Sequence, residues 1–291
     1  MQLSITLVSP DPQAVTAAIV RVRAQTGAGE PRLLGPGAAD LTASGQQTLT
    51  RGLLDAVLGD LPVDACIQPL AGRAKRLLIA DMDSTIIGCE CLDELADFAG
   101  VKAAVSEITE RAMRGELAFE GALRERVAML KGLEQSALQR CYDERVRLNP
   151  GARTLVRTMA ASGARCLLVS GGFSFFTSRV AAAAGFHEDR ANTLIEDAHG
   201  LTGQVGEPIL GREAKLAALQ EEAARLGVPL AETLAVGDGA NDLAMIEAAG
   251  LGVAYRAKPV VAAQAHARVD HADLTALLYF QGYRADQFVT D

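Results

Sequence analysis

The sequence predicts an α/β protein: a doubly wound parallel sheet with a helical cap inserted into it, preceded by a small ferredoxin-like α+β unit. Three observations carry that prediction. From Lys75 onward, short apolar runs of strand length alternate with helical segments, which implies a parallel sheet. Between the first and second of these runs lie Gly88–Asn149, rich in Ala, Leu, Glu and Arg and without a strand signal, which read as several helices. The first 72 residues read instead as strand, helix, two strands, helix, strand, the order of a ferredoxin-like module.

Taken in order, Leu3–Val8 reads as a strand. Asp11 is a good N-cap, Pro12 suits a first helical turn and Gly27 a helix stop, so the spacing predicts a helix over Pro12–Thr26. Short strands are expected at Arg32–Leu34 and Asp40–Ala43 around Gly35-Pro36-Gly37, a second helix over Thr50–Leu61 and a last strand over Ala65–Leu70. The parallel strands are expected at Arg76–Asp81, Cys166–Ser170, Thr233–Asp238 and Leu251–Tyr255. Helices follow at about Phe175–Ala184, Arg212–Leu226 and Asn241–Ala249, with Gly227 and Gly250 as stops. Asn192–Ile195 and Leu201–Val205 read as a hairpin. The expected division is therefore 1–72 and 73–291, with the cap at about 88–149. An insertion so placed lies above the carboxyl ends of the strands, where ligands bind in open α/β sheets.

Composition bounds the function. With 291 residues, 49% hydrophobic and only 4% aromatic, the chain can form two domains with a large aliphatic core. A formal charge of −8 argues against nucleic-acid binding, which needs clustered Lys and Arg. No basic stretch followed by a long apolar one opens the chain, and no apolar run approaches the length of a membrane span. Five cysteines form no disulfide-rich pattern, which points to a reducing cytoplasm, and Cys89-x-Cys91 has no second pair or His cluster to complete a zinc site.

Several nucleotide and calcium motifs fail. Gly206–Gly211 resembles a P-loop but lacks the following Lys and Ser/Thr, and Gly35-x-Gly37 and Gly237-x-Gly239 lack the third glycine of a dinucleotide fingerprint. Asp81-x-Asp83 does not continue as a calcium loop, since Ile86 and Leu92 stand where Gly and Glu are needed. Four segments hold together instead. Asp81-Met82-Asp83-Ser84-Thr85 follows Leu77–Ala80, Ser170-Gly171-Gly172 follows Leu167–Val169, Lys215 opens a helix, and Gly237-Asp238-Gly239-Ala240-Asn241-Asp242 follows Leu234–Val236. Parallel strands bring Asp81, Ser170 and Asp238 to one sheet edge. Asp81, Asp83 and Asp238 can offer oxygens to a small hard cation, for which Mg²⁺ is suited. Ser170, the glycine N–H groups and Lys215 can hold a phosphate, and one carboxylate remains to attack phosphorus.

With Glu90, Glu110-Arg-Ala-Met-Arg-Gly-Glu116, Phe119 and Leu123-Arg-Glu-Arg-Val127, these motifs resemble the phosphoserine phosphatases of the haloacid dehalogenase (HAD) superfamily, from about Arg76 to about Asp273. The resemblance implies a HAD-type core and Mg²⁺-dependent hydrolysis of O-phospho-L-serine through an aspartyl-phosphate, the last step of serine biosynthesis. It makes Asp81 the nucleophile and Asp83 the general acid and then base. Mg²⁺ would be held by the side chains of Asp81 and Asp238 and the main-chain carbonyl of Asp83. Ser170, Gly171 and Lys215 would hold the phosphoryl oxygens, with Asn241 and Asp242 orienting phosphate and metal-bound water. Glu90 would take the substrate ammonium and Arg126 its carboxylate, with Met113 and Phe119 closing the pocket. The amino-terminal unit resembles ACT-type domains, which implies serine as an effector and a homodimer, although Ser9-Pro10-Asp11-Pro12 lacks the glycine such domains often carry. The rival expectations are a HAD phosphatase or phosphotransferase for another small phosphate, and a non-catalytic amino-acid sensor.

Overall fold

The computed structural model describes residues 2–44, 49–113 and 116–290, the side chains of 112 and 113 excepted. The amino-terminal unit runs β1 (Gln2–Val8), α1 (Pro12–Thr26), β2 (Arg32–Gly35), β3 (Ala38–Ser44), α2 (Arg51–Leu58) and β4 (Asp64–Pro69). Its sheet has the order β2-β3-β1-β4, antiparallel throughout, as the ferredoxin-like expectation requires. Asp11 caps α1 by accepting the Gln13 N–H at 2.9 Å, and Gly27 ends it in the left-handed region at φ +63°. Strand alternation sends Ile5 and Leu7 under the helices, where they pack with Val15, Ala18, Val22 and Leu54. It sends Ser4 and Thr6 to the opposite face. That face is buried too: Thr6 donates to Asp40 at 2.8 Å, Asp40 pairs with Arg73, and Asp64 accepts the N–H groups of Asp270 and Ala272 at 2.8 and 2.7 Å. The sheet is thereby joined to the remainder of the chain by satisfied buried polar groups.

The second unit begins with β5 (Leu77–Ala80), continues through α3 (Cys91–Phe98), α4 (Lys102–Met113), α5 (Phe119–Ala128) and α6 (Gln135–Arg145), and returns by α7 (Ala152–Ala161) to β6 (Arg165–Phe173). Then come α8 (Ser174–Ala184), β7 (Glu188–Asn192), the hairpin β8 (Leu194–Asp197) and β9 (Gly200–Val205), α9 (Ala214–Leu226) and β10 (Thr233–Gly237). The chain closes with α10 (Leu243–Ala248), β11 (Leu251–Tyr255), α11 (Pro259–Gln264), β12 (Ala267–Val269) and α12 (Ala276–Phe280). Six parallel strands take the order β12-β11-β10-β5-β6-β7. In β5 all four residues are buried, Leu78 and Ala80 on one face and Leu77 and Ile79 on the other, which explains an apolar run without alternation.

Two strands escaped the sequence reading, β7 and β12. Each lies at an edge; β7 reads Glu-Asp-Arg-Ala-Asn and β12 is three residues long, so neither writes an apolar run. Asn192, expected in the hairpin, ends β7. The cap expectation holds, with α3 to α6 all between β5 and α7. Its two connectors meet at an antiparallel bridge between Ile87 and Leu148, and Asn149 Nδ2 donates to the carbonyls of Thr85 and Ile87 at 2.8 and 3.1 Å. Among the described residues no helix is long and apolar enough to cross a membrane.

Candidate active site

The central position of β5, between β6 and β10, decides where the site forms. Asp81 follows β5 and its N–H donates to the Val236 carbonyl at 3.0 Å, which locks it against β10. Lys215, in the first turn of α9 and only 3% exposed, reaches Asp81 Oδ1 at 2.6 Å and Asp242 Oδ1 at 2.5 Å. Asp242 Oδ2 accepts the N–H groups of Asp238 and Gly239 at 3.1 and 3.0 Å. Gly237 makes this approach possible, because a Cβ there would stand 2.4 Å from the Asp242 carboxyl. Asp81 Oδ1 also accepts the Met82 N–H at 2.7 Å, so both of its partners among the described residues sit on one oxygen and Oδ2 is left uncommitted.

Beyond Asp81 the chain turns sharply. Ile87 N–H reaches back to the Met82 carbonyl at 3.0 Å, and Ser84 takes φ +55°, a strained value for a residue with a side chain. The turn aims Asp83 across the site: Oδ1 accepts the Cys91 N–H at 2.9 Å and Oδ2 accepts the Ser170 hydroxyl at 3.3 Å. Ser170 Oγ in turn accepts the Gly172 N–H at 2.9 Å. A Cβ on Gly172 would lie 3.0 Å from Asp83 Oδ2, and one on Gly171 3.3 Å from the Phe119 ring, so both glycines keep the backbone open to a ligand. Ser84 Oγ donates to Glu90 at 2.6 Å, and Thr85 Oγ1 to Asp238 at 3.1 Å.

Asp81, Asp83, Ser84, Ser170 and Asp238 line a cavity of about 670 Å³ roofed by the cap, which contributes Glu90, Asp93, Phe119, Leu123 and Arg126. Of the residues singled out from sequence, Asp81, Asp83, Glu90, Phe119, Arg126, Ser170, Gly171, Asp238 and Asn241 line it together. Lys215 and Asp242 sit behind its floor as partners of the lining carboxylate Asp81 and of the loop that carries Asp238. Met113 ends α4, and its side chain lies outside the described residues. The tight carboxylate cluster is Asp81, Asp238 and Asp242, with oxygens within 4.8 Å of one another; the side chain of Asp83 turns instead to Cys91 and Ser170.

Asn192 was missed. It is buried, donates to the Gly171 carbonyl at 2.8 Å and accepts the Leu210 N–H at 2.7 Å, so it fixes the glycine loop against the loop before α9. No sequence signal marks it, since its partners lie 18 and 21 residues away.

Burial is the first cause of every shifted acid here. It raises Asp81 well above the ordinary carboxylate range, aided by the Asp242 charge and opposed by Lys215. Burial and then Asp242 raise Asp238, and burial raises Asp83 against the Cys91 N–H. Glu90 touches solvent in the cavity, yet surrounding protein removes much of its hydration and, with the Asp83 charge, pushes it up to about 7. For Lys215, burial works against the ammonium, and Asp242 and Asp81 overcome it and hold its pKa above the usual lysine value. Three clustered carboxylates against one ammonium leave two negative charges unbalanced. An all-oxygen set with that excess fits a hard divalent cation.

Comparison with known proteins agrees with this geometry. A model of the haloacid dehalogenase-like hydrolases matches residues 78–247. A phosphoserine phosphatase of Streptomyces coelicolor is 46% identical over 215 residues, 74% of this chain and 52% of that relative, so the match spans about half of the relative's length. Another, of a Polaromonas species, is 46% identical over 208 residues, 70% of this chain and 88% of that relative. The crystal structure of a HAD family hydrolase of Salmonella enterica serovar Typhi superposes with a TM-score of 0.87 at 30% identity, covering 96% of this chain and 98% of that one. The matched family span opens inside β5, just before Asp81, and closes inside α10, just after Asp242, and so contains the whole carboxylate cluster with Lys215: this chain belongs to the haloacid dehalogenase-like hydrolases.

Proposed function

We propose that the chain hydrolyses O-phospho-L-serine to L-serine and phosphate. One observation carries the reading: a single cavity joins a buried carboxylate floor to a cap wall bearing an acid, Glu90, and a base, Arg126. The floor suits a phosphoryl group and its cation. The wall suits the two other charges of phosphoserine, Glu90 taking the ammonium and Arg126 the carboxylate. The names of the curated relatives support the same substrate.

In this reading Asp81 attacks phosphorus through its uncommitted Oδ2, and the bond from phosphorus to the seryl oxygen breaks. Asp83, whose raised pKa suits a protonated acid, gives its proton to the departing oxygen. The Asp83 carboxylate then takes a proton from the water that attacks the aspartyl-phosphate, releasing phosphate and restoring both residues. Ser170, Gly171 and Asn241 orient the phosphoryl oxygens, and Lys215 steadies Asp81 from behind. Asp81, Asp238 and the main-chain carbonyl of Asp83 would hold Mg²⁺, which when bound supplies charge that offsets the phosphate dianion. Asp242, with both oxygens engaged by Lys215 and two N–H groups, supports this set from outside. Phe119 covers Gly171 and, with Met113, is assigned to closing the pocket.

The reading extends to the whole chain as a division near residue 72, a cytoplasmic location, and an amino-terminal unit that binds serine or pairs two chains. Equilibrium dialysis with serine and sedimentation of the full chain test the last two separately. The main test is phosphate release from L-phosphoserine, with and without Mg²⁺, beside phosphothreonine, sugar phosphates and nucleoside monophosphates. A Mg²⁺-dependent preference for phosphoserine is expected; preference for another member would remove the roles given to Glu90 and Arg126.

A further inference from the structure

The cavity carries more negative than positive charge. Asp81, Asp83, Glu90, Asp93 and Asp238 line it against Arg126, Arg212 and Lys258. Lys215 cannot meet an incoming ligand first, being buried and taken up by Asp81 and Asp242. Arg126 stands on the cap side, where its charge faces Asp93 and Glu90. A phosphate dianion approaching a chain of formal charge −8 therefore passes Glu90 and Asp93 before it reaches the proposed Mg²⁺ site, and the lining cations left to draw it in are Arg212 and Lys258.

Lys258 and Arg212 are placed to do so. Both are exposed, and among the described residues neither side chain is held by a hydrogen bond or ion pair. Their backbones are fixed. Lys258 N–H donates to the Asp238 carbonyl at 3.1 Å, and its own carbonyl accepts from Val261 and Ala262 at 2.9 and 3.0 Å, so it opens α11 directly beside the carboxylate cluster. Arg212 follows Gly211, where a Cβ would touch the Phe119 ring at 3.8 Å, and Leu210, which Asn192 holds. An exposed cation on a rigid root, its charge facing Asp238, and another beside the cap form a pair that a dianion can meet at the mouth without first breaking any ion pair among the described residues.

We propose that Lys258 and Arg212 capture the phosphate dianion of the substrate and determine how fast it passes the carboxylates to reach Asp81. This inference rests on the phosphomonoester reading given above. The test uses the full chain with Mg²⁺ supplied, in the variants Lys258→Gln, Arg212→Gln and both together. Arg32→Gln makes the same charge change on the exposed edge of the amino-terminal sheet and serves as control. Two readouts are followed as ionic strength is raised: kcat/KM for phosphoserine, and affinity for inorganic phosphate by calorimetry. The double variant is expected to lose about tenfold in kcat/KM at low salt, with the loss on KM and a flatter salt dependence. Phosphate affinity should fall with it, Lys258→Arg should restore the single-site loss, and Arg32→Gln should change neither quantity. Retention of both quantities within about twofold in the double variant, or an equal loss in Arg32→Gln, overturns the inference. A wild-type chain that ignores phosphoserine, yet loses phosphate affinity on the double substitution, would remove the substrate reading and keep this one.

Discussion

On the sheet side of the cavity, Asp81 and Asp242 are buried and share the Lys215 ammonium at 2.6 and 2.5 Å, and each oxygen of Asp242 is bonded. On the cap side, Glu90 is exposed and accepts one bond from Ser84, while Arg126 is half-buried and donates to the Ala122 carbonyl at 3.2 Å. The floor is rigid because it is fixed at the ends of β5 and β10 and Lys215 ties two of its carboxylates together inside the protein. The wall keeps Glu90 and Arg126 on the lining of the cavity, which suits the proposed binding and release of a zwitterionic group. The proposed function thus places chemistry and selectivity on regions of different stiffness.

The sharpest way to break this comparison is at Asp81, the proposed nucleophile. Asp81→Asn preserves shape and removes the attacking oxygen, so phosphate release should fall by at least about 10⁴-fold. Covalent labelling of the variant at another carboxylate would exclude Asp81 from that role. Lys215→Met tests the rigidity of the floor, because it leaves Asp81 and Asp242 buried without their cation. Urea unfolding should show a loss of about 3–5 kcal/mol, and a loss under about 1 kcal/mol would mean that the ammonium does not hold the floor.

At the wall, Arg126→Ala should lower kcat/KM for phosphoserine by about 100-fold while Mg²⁺-dependent turnover of an aryl phosphate persists. Equal losses on both substrates would place Arg126 with the floor. The smallest effect concerns pH. Because the Glu90 pKa is raised to about 7, its carboxyl is neutral below that pH and ionised above it, and only the ionised form attracts an ammonium. KM for phosphoserine should therefore rise about tenfold from pH 8 to pH 6. An aryl phosphate, which carries no ammonium, reports the titration of the remaining groups. If Glu90→Gln keeps the full phosphoserine-specific rise, Glu90 is not its source.

Local chemistry written in consecutive residues could be read directly. The cap of α1 by Asp11, its stop at Gly27 and the placement of Asp81 and Asp238 just past strand ends all depend on short-range rules, and the structure agrees with each, whereas β6 runs on past Ser170 to Phe173 through a shift of register against β7. The edge strands β7 and β12 were hidden because one neighbour suffices to make an edge strand and little apolar burial is then needed. Asn192 was hidden because its work is done across 18 to 21 residues of sequence. The exposed cations Lys258 and Arg212 look in sequence like any solvated surface charge.

By itself the sequence determined the alternation that makes a parallel sheet, the ferredoxin-like order ahead of it, and the identity of the acidic motifs. These follow from periodicity, capping and turn chemistry, which act over a few residues. The tertiary structure alone decided that Lys215 lies beneath the floor between two carboxylates, that Asp83 turns toward Ser170 and Cys91, and that the cap brings Glu90 and Arg126 over Asp81. The physical reason is that charge pairing and desolvation depend on distances between segments far apart in the chain, and those distances exist only once the strands have taken their order.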